Sequence, residues 1–152
     1  MNFKELFAVS KVFISKPRYI LPTYRATIET IRICDDLYKK EHHKNGKENA
    51  FRHALWNYLI CQKCFKISGS VEAARIWSDH FTGLHEKLSP NQKLAKAMDL
   101  HNNRFGQALF KGLEIPTEEI IYLFQEKMKV AIKVSKVEEI GKTKDKLVYI
   151  ED

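Results

Sequence analysis

The residues best suited to chemistry fall in three short stretches. Met98-Asp99-Leu100-His101-Asn102-Asn103-Arg104-Phe105-Gly106 sets a carboxylate, an imidazole and two amides into one apolar segment. Arg52-His53 with Asn57 forms the second stretch, and His85-Glu86 the third. Imidazoles combined with carboxylates are the donor types of a divalent-metal hydrolase, in which a metal such as zinc activates water. On that reading His53, His85 and Asp99 are candidate ligands or acid/base groups, and Glu86 assists as general base. The spacing matches no specific zinc signature such as H-E-x-x-H. A metal-free version is equally open: His53 is the base, oriented by Asp99 or Asn102, while Arg52 holds an anionic group. Asn57, Asn102 and Asn103 join Arg52 as candidate substrate-binding residues. The competing reading is a buried hydrogen-bond network that fixes helix register, because an unpaired buried polar group costs roughly 1–3 kcal/mol.

The elements that must position these groups read as helices throughout. Residues 3–14 form a short amphipathic helix ended by Lys16-Pro17. Tyr24, Ile28, Ile31, Asp35 and Tyr38 repeat at helical spacing over 23–40. Lys39 to Gly46 reads as a solvated loop with His42 and His43 exposed. Residues 47–66 are apolar over most of the circumference and so central, with His53, Asn57 and Cys64 on one line. Ala50, Ala54 and Cys61 beside that line would let another helix approach closely.

Ser70 caps the next helix, in which Ala73, Trp77, His80, Phe81 and Leu84 mark the buried face and His85 its edge. The motif helix is expected to start at Ser89-Pro90 and stop at Gly112. In it Leu94, Ala97, Met98, Phe105, Ala108 and Leu109 share one face with His101, and Asp99, Asn102 and Gly106 form a stripe alongside. Pro116-Thr117-Glu118-Glu119 opens a sixth helix with acids in the first turn. Lys146 to Ile150 is a short strand or extended segment. The expectation is an all-α, single-domain bundle of about five to six helices over residues 1–152.

Composition narrows the function classes. The chain has 152 residues, 44% hydrophobic and 30% charged, as for an ordinary globular domain. No apolar run reaches the ~18 residues of a membrane span. Lys16-Pro17-Arg18 follows the first apolar segment where a signal peptide would have small residues, so a cytoplasmic location is expected by default, with export as an effector left open. Cys34, Cys61 and Cys64 make no disulfide framework, and Cys61-Gln62-Lys63-Cys64 lies late in a helical segment, so structural thiols are expected. The net charge of +7 favours an anionic substrate or surface, yet no nucleic-acid-reading motif is present.

Asn49-Ala50-Phe51-Arg52-His53-Ala54-Leu55-Trp56-Asn57, then His85-Glu86, then Met98-Asp99-Leu100-His101-Asn102-Asn103 with Gly106, resembles an uncharacterised bacterial helical domain. That domain occurs in wall-associated, secreted or polymorphic-toxin-like proteins. The likeness runs from about residue 17 to 150. It implies that Arg52, His53, Trp56, Asn57, His85, Glu86, Asp99, Asn102, Asn103 and Gly106 are its motif positions. His80, His42, His43 and the cysteines are not, and no reaction is implied. The residues leave three functions as expectations: a hydrolase acting on a phosphoester or phospholipid, a non-enzymatic helical interaction module, or a basic protein that docks on nucleic acid or an anionic membrane surface without catalysis.

Overall fold

The structure, a computed structural model, describes residues 10–152. The expected first helix falls partly on residues 1–9, outside the described residues; residues 10–15 are helical. Five long helices follow: α1 (Ile20–Tyr38), α2 (Lys47–Ser68), α3 (Val71–Leu88), α4 (Lys93–Leu109) and α5 (Thr117–Lys129). A one-turn helix, α6 (Val137–Ile140), and two short strands complete the chain. β1 (Ile132–Lys133) and β2 (Val148–Tyr149) pair in parallel. The fold is all-α in a single domain, as its periodicity predicts.

Helix α2 is the axis. Ala50, Phe51, Ala54, Leu55, Leu59, Ile60, Cys61 and Cys64 on it are all fully buried, and α1, α3, α4 and α5 each pack against it. The closest approach is to α4. A Cβ built on Gly106 would stand 2.0 Å from the carbonyl oxygen of Ala54, so only glycine allows the two backbones to meet there. That contact carries the polar residues of α4 across to His53 and Asn57.

Several boundaries and faces differ from expectation. Ser89 ends α3 instead of starting α4: its backbone N–H and its hydroxyl both donate to the carbonyl of His85, at 3.0 and 3.1 Å. Gln92 takes the N-cap place. Helix α4 ends at Leu109, ahead of Gly112, which sits at φ +81° in the following loop. Ser70 does cap α3, accepting from the N–H of Ala73 at 3.1 Å.

His80 is exposed, because the inward line of α3 is Ala74, Ser78, Thr82 and Glu86, whose polar members find partners on α2 and α4. His42 is buried. A short 3-10 turn, Glu41–His43, folds it under α1 with its Nε2 2.8 Å from Asp35 Oδ1. Helix α1 turns Thr23, Ala26, Thr30, Ile33 and Cys34 inward and leaves Leu21, Tyr24, Ile28 and Ile31 outside.

Candidate acid–base site

His53 lies on the α2 surface facing α3 and α4, where its ring meets both of them. Nδ1 is 2.9 Å from Asn103 Oδ1, which also accepts from Asn57 Nδ2 at 2.8 Å. Asn103 Oδ1 can only accept, so Nδ1 carries the proton. At the other edge Arg52 Nη2 donates to Nε2 over 3.1 Å. A guanidinium can only donate, so Nε2 presents its lone pair. Burial, the Arg52 charge and nearby His85 push the imidazole pKa down to about 3 against the pull of Asn103, and the ring is neutral.

Two carboxyl groups stand beside it. Asp99 Oδ1 is 3.3 Å from His53 Nε2 and Glu86 Oε1 is 3.6 Å from Nδ1. Both carboxyl groups are buried. Desolvation, then the neighbouring Glu86, raises the Asp99 pKa to about 8 despite the opposing pull of Arg52. Glu86 is raised by desolvation as well, against the stabilising hydrogen bond from Asn103. Asp99 Oδ1 finds no hydrogen-bond donor among the described residues. It carries its proton at neutral pH and stands beside a lone pair that Arg52 already engages.

Behind this trio the polar groups are saturated. Asn57 Oδ1 lies within 2.9 Å of Ser78 Oγ, Thr82 Oγ1 and Gln107 Nε2, and Asn57 Nδ2 reaches the carbonyl of His53 at 3.0 Å. Asn102 clasps the backbone of β2: its Nδ2 donates to the Val148 carbonyl at 2.9 Å, and its Oδ1 accepts the Val148 N–H at 3.0 Å. Both amides are buried and turned to protein partners, and neither lines the cleft over His53. Asn103 likewise orients His53 and holds nothing from solvent. His101 lies on the far side of α4, 2.7 Å from the Lys146 carbonyl.

On the solvent side a cleft of about 300 Å³ opens over His53. Thr27, Thr30 and Ile31 of α1, Arg52, His53 and Trp56 of α2, and Phe81 and His85 of α3 line it. His85 stands at its rim, with its ring edge-on to Trp56 at 5.3 Å. Trp56 is fixed by an indole N–H bond to Thr27 Oγ1 of 2.9 Å. Among the described residues Arg52 is the only cationic side chain in the lining; its other arm reaches His43 Nδ1 at 3.3 Å. A second cleft, lined by Val12, Phe13, Leu84 and Leu88, shares Phe81 and His85 with the first.

The donor set that comes together is His53, Glu86 and Asp99, whose ligand atoms lie within 4.8 Å of one another. His85 is outside that group, which corrects the ligand trio expected from the sequence. Adjacent helical residues point about 100° apart, and on α3 it is Glu86 that turns inward. A second group, the exposed Asp35 and His43 with the buried His42, meets the same distance limit. In the sequence His42 and His43 read only as a solvated loop. Cys61 and Cys64 are buried free thiols with pKa values raised to about 12 and 11 by desolvation. They are unreactive inside α2.

The fold and this centre together define an all-helical domain in which an acid–imidazole cluster meets solvent through one cleft. The chain belongs to the family described as a domain of unknown function, DUF6973, which matches residues 10–132. No curated protein and no solved structure matches it. The matched region contains the whole acid–imidazole cluster and stops short of β2, the strand that Asn102 holds.

Proposed function

We propose that the protein is a hydrolase of anionic esters, phosphoesters foremost, with His53 as its proton-transfer group. The observation that supports this most is the Nε2 lone pair of His53. It lies at the floor of a cleft, between a guanidinium and a buried carboxyl group whose pKa is raised to about 8. Such opposed perturbations mark functional groups more often than structural ones.

In this reading the phosphoryl group enters over Arg52, which turns from His53 to the anion and makes charge-assisted hydrogen bonds. Nε2 is then free to take a proton from water as the water oxygen bonds to phosphorus. The ester oxygen leaves with that proton returned from the imidazolium. Glu86 compensates the charge His53 acquires, while Asp99 keeps its proton and stays neutral, and Asn103 holds the ring in register. The resemblance to toxin-like proteins suits such an activity in an effector.

The metal-assisted version uses His53, Glu86 and Asp99. A dication there would compete with Arg52 for the same lone pair at close range, so the metal-free version is favoured. The test is direct: metal analysis of the purified protein, and turnover of phosphodiester and phospholipid substrates by wild type, His53→Ala and Asp99→Ala. Loss of turnover in both folded variants, with no stoichiometric metal, is the expected result. Undiminished activity in a folded double variant would end the proposal. The structural-network reading rests on the saturation of Asn57 and Asn103, and it predicts a large fall in melting temperature with no activity to lose.

A further inference from the structure

Helix α1 is oriented against the usual amphipathic rule. Its buried line is mostly small side chains with Ile33 the large exception, and Thr23 is typical: its hydroxyl donates to the Tyr19 carbonyl and accepts from Trp77 Nε1, at 2.7 and 2.8 Å. Most of its large apolar side chains face water. Of the twelve large hydrophobics exposed among the described residues, six (Ile14, Ile20, Leu21, Tyr24, Ile28 and Ile31) lie between positions 14 and 31. Tyr24 is 62% exposed and Ile28 49%. Contiguous exposed apolar area of this kind marks an interaction surface.

The charge around this stripe says what it meets. From residue 10 to the end of α1 at Tyr38 there are five cations, Lys11, Lys16, Arg18, Arg25 and Arg32, all exposed, and three acids, Glu29, Asp35 and Asp36, of which Asp35 meets His42 Nε2 at 2.8 Å. Glu29 is already neutralised by Lys63 at 2.6 Å. No ion pair engages the five cations among the described residues; Arg18 lies over the Tyr19 ring and donates to its hydroxyl, which leaves Lys11, Lys16, Arg25 and Arg32 as the unpaired charges. Arg25 and Arg32 flank the stripe on one side, while Ile31 belongs both to it and to the lining of the cleft over His53. Apolar side chains bordered by unpaired cations are the pattern of a helix lying in an anionic interface. No helix among the described residues is long and apolar enough to cross a membrane, so contact would be superficial.

We infer that the outward face of α1 docks on an anionic phospholipid bilayer and presents the mouth of the His53 cleft to the lipid headgroups. Docking rests on the stripe and its charges alone. Only the further step, that the esters cleaved are those of the bilayer, rests on the hydrolase reading. The apolar cleft lined by Phe13, Leu84 and Leu88 adjoins the same mouth and suits an acyl chain lifted from the leaflet.

Vesicle flotation tests this, using wild type, Tyr24→Asp/Ile28→Asp, Arg25→Glu/Arg32→Glu and His53→Ala. Wild type and His53→Ala are expected to float with phosphatidylglycerol/phosphatidylcholine vesicles at low ionic strength. They should stay behind with pure phosphatidylcholine and be released by salt. At about 1 kcal/mol per surface cation, losing Arg25 and Arg32 should weaken partitioning roughly thirtyfold or more. Tyr24→Asp/Ile28→Asp should lose binding while keeping its fold by circular dichroism and its turnover of a soluble phosphodiester. Wild type that ignores anionic vesicles would overturn the inference, as would binding that survives both double substitutions. So would a dimer broken by Tyr24→Asp/Ile28→Asp, which would assign the stripe to a second copy. Vesicle binding without any hydrolysis would leave docking standing and defeat the hydrolase reading alone.

Discussion

Helix α2 meets two regions built from similar residue types that behave in opposite ways. Toward α3 and α4 lies a deep layer of Asn57, Ser78, Thr82, Asn103 and Gln107, in which every side chain has a partner. Toward α1 lies the mouth, where Arg52 and His85 face an open cleft. The deep layer has satisfied its hydrogen-bonding capacity within the protein and therefore specifies geometry. The mouth retains free donors and so can receive a ligand. His53 belongs to both regions: its Nδ1 is bound in the layer and its Nε2 opens to the mouth. Buried polarity alone does not locate a site. What locates this one is the point where the layer stops being saturated.

The largest effect expected is in the deep region. Gly106→Ala drives a methyl group into the Ala54 carbonyl at 2.0 Å, and relief requires α4 to move away from α2. Overpacking of this kind costs typically 1–3 kcal/mol and more against rigid backbone, so we expect the top of that range or beyond, read as a drop in Tm. Asn57→Ala comes next. It strands the Gln107 Nε2 donor, leaves the Ser78 and Thr82 hydroxyls only backbone carbonyls, and is expected to cost roughly 1–3 kcal/mol, from the penalty for unpaired buried groups, measured by urea unfolding. A mild effect from either would mean the layer is looser than its distances imply.

The two-sidedness of His53 predicts a pH signature. Its folded pKa of about 3 lies below the ordinary 6.5, so the unfolded chain binds more protons and stability rises with pH between those values. Asp99 is the reverse: raised from 3.8 to about 8, it makes the folded state the better proton binder, and stability falls with pH across that window. The two oppose each other from about 3.8 to 6.5, which leaves a net decline from about 6.5 to 8. Asp99→Asn should abolish that decline and be relatively most favourable near pH 8. Denaturant midpoints taken at pH 6 and pH 8 would show it, and an unchanged decline would place the buried proton elsewhere.

Arg52→Gln sharpens the comparison from the other side. Arg52 faces the mouth and holds up no layer contact except its bond to Nε2, so its loss should shift Tm little. It should raise KM for an anionic ester roughly tenfold to a hundredfold, the worth of one charge-assisted bond at about 1.5–3 kcal/mol. The smallest effect belongs to His85→Ala, whose ring sits at the exposed rim, where substitutions change stability by about 0.5 kcal/mol or less.

Much of this was legible from residue types. Ala50, Ala54 and Cys61 on one helix announced a close approach by another, since small side chains permit it; that Gly106 is the point of contact came only with the structure. The polar residues on those same faces therefore had to meet, and His53, Asp99 and Asn103 do. The choice between His85 and Glu86 was not legible. Adjacent residues on α3 compete to face inward, and the winner is set by Asn103 on α4, a partner distant in sequence. The burial of His42 depends on Asp35 of α1 in the same way. The outward turn of Tyr24, Ile28 and Ile31 could not be read from periodicity, which marks a stripe but not the side on which it lies.

His53 is held to do its chemistry through Nε2, the edge that faces the cleft and is engaged only by the movable Arg52, while Nδ1, bound to Asn103, keeps the ring in place. Hydrolysis of a soluble phosphodiester by His53→Gln, normalised to the folded fraction, tests this most directly. Glutamine keeps a polar side chain of similar reach but cannot take up a proton at neutral pH. Removal of a positioned general base should lower kcat by about 10²–10⁴. A folded His53→Gln protein turning over substrate at the wild-type rate would contradict the account.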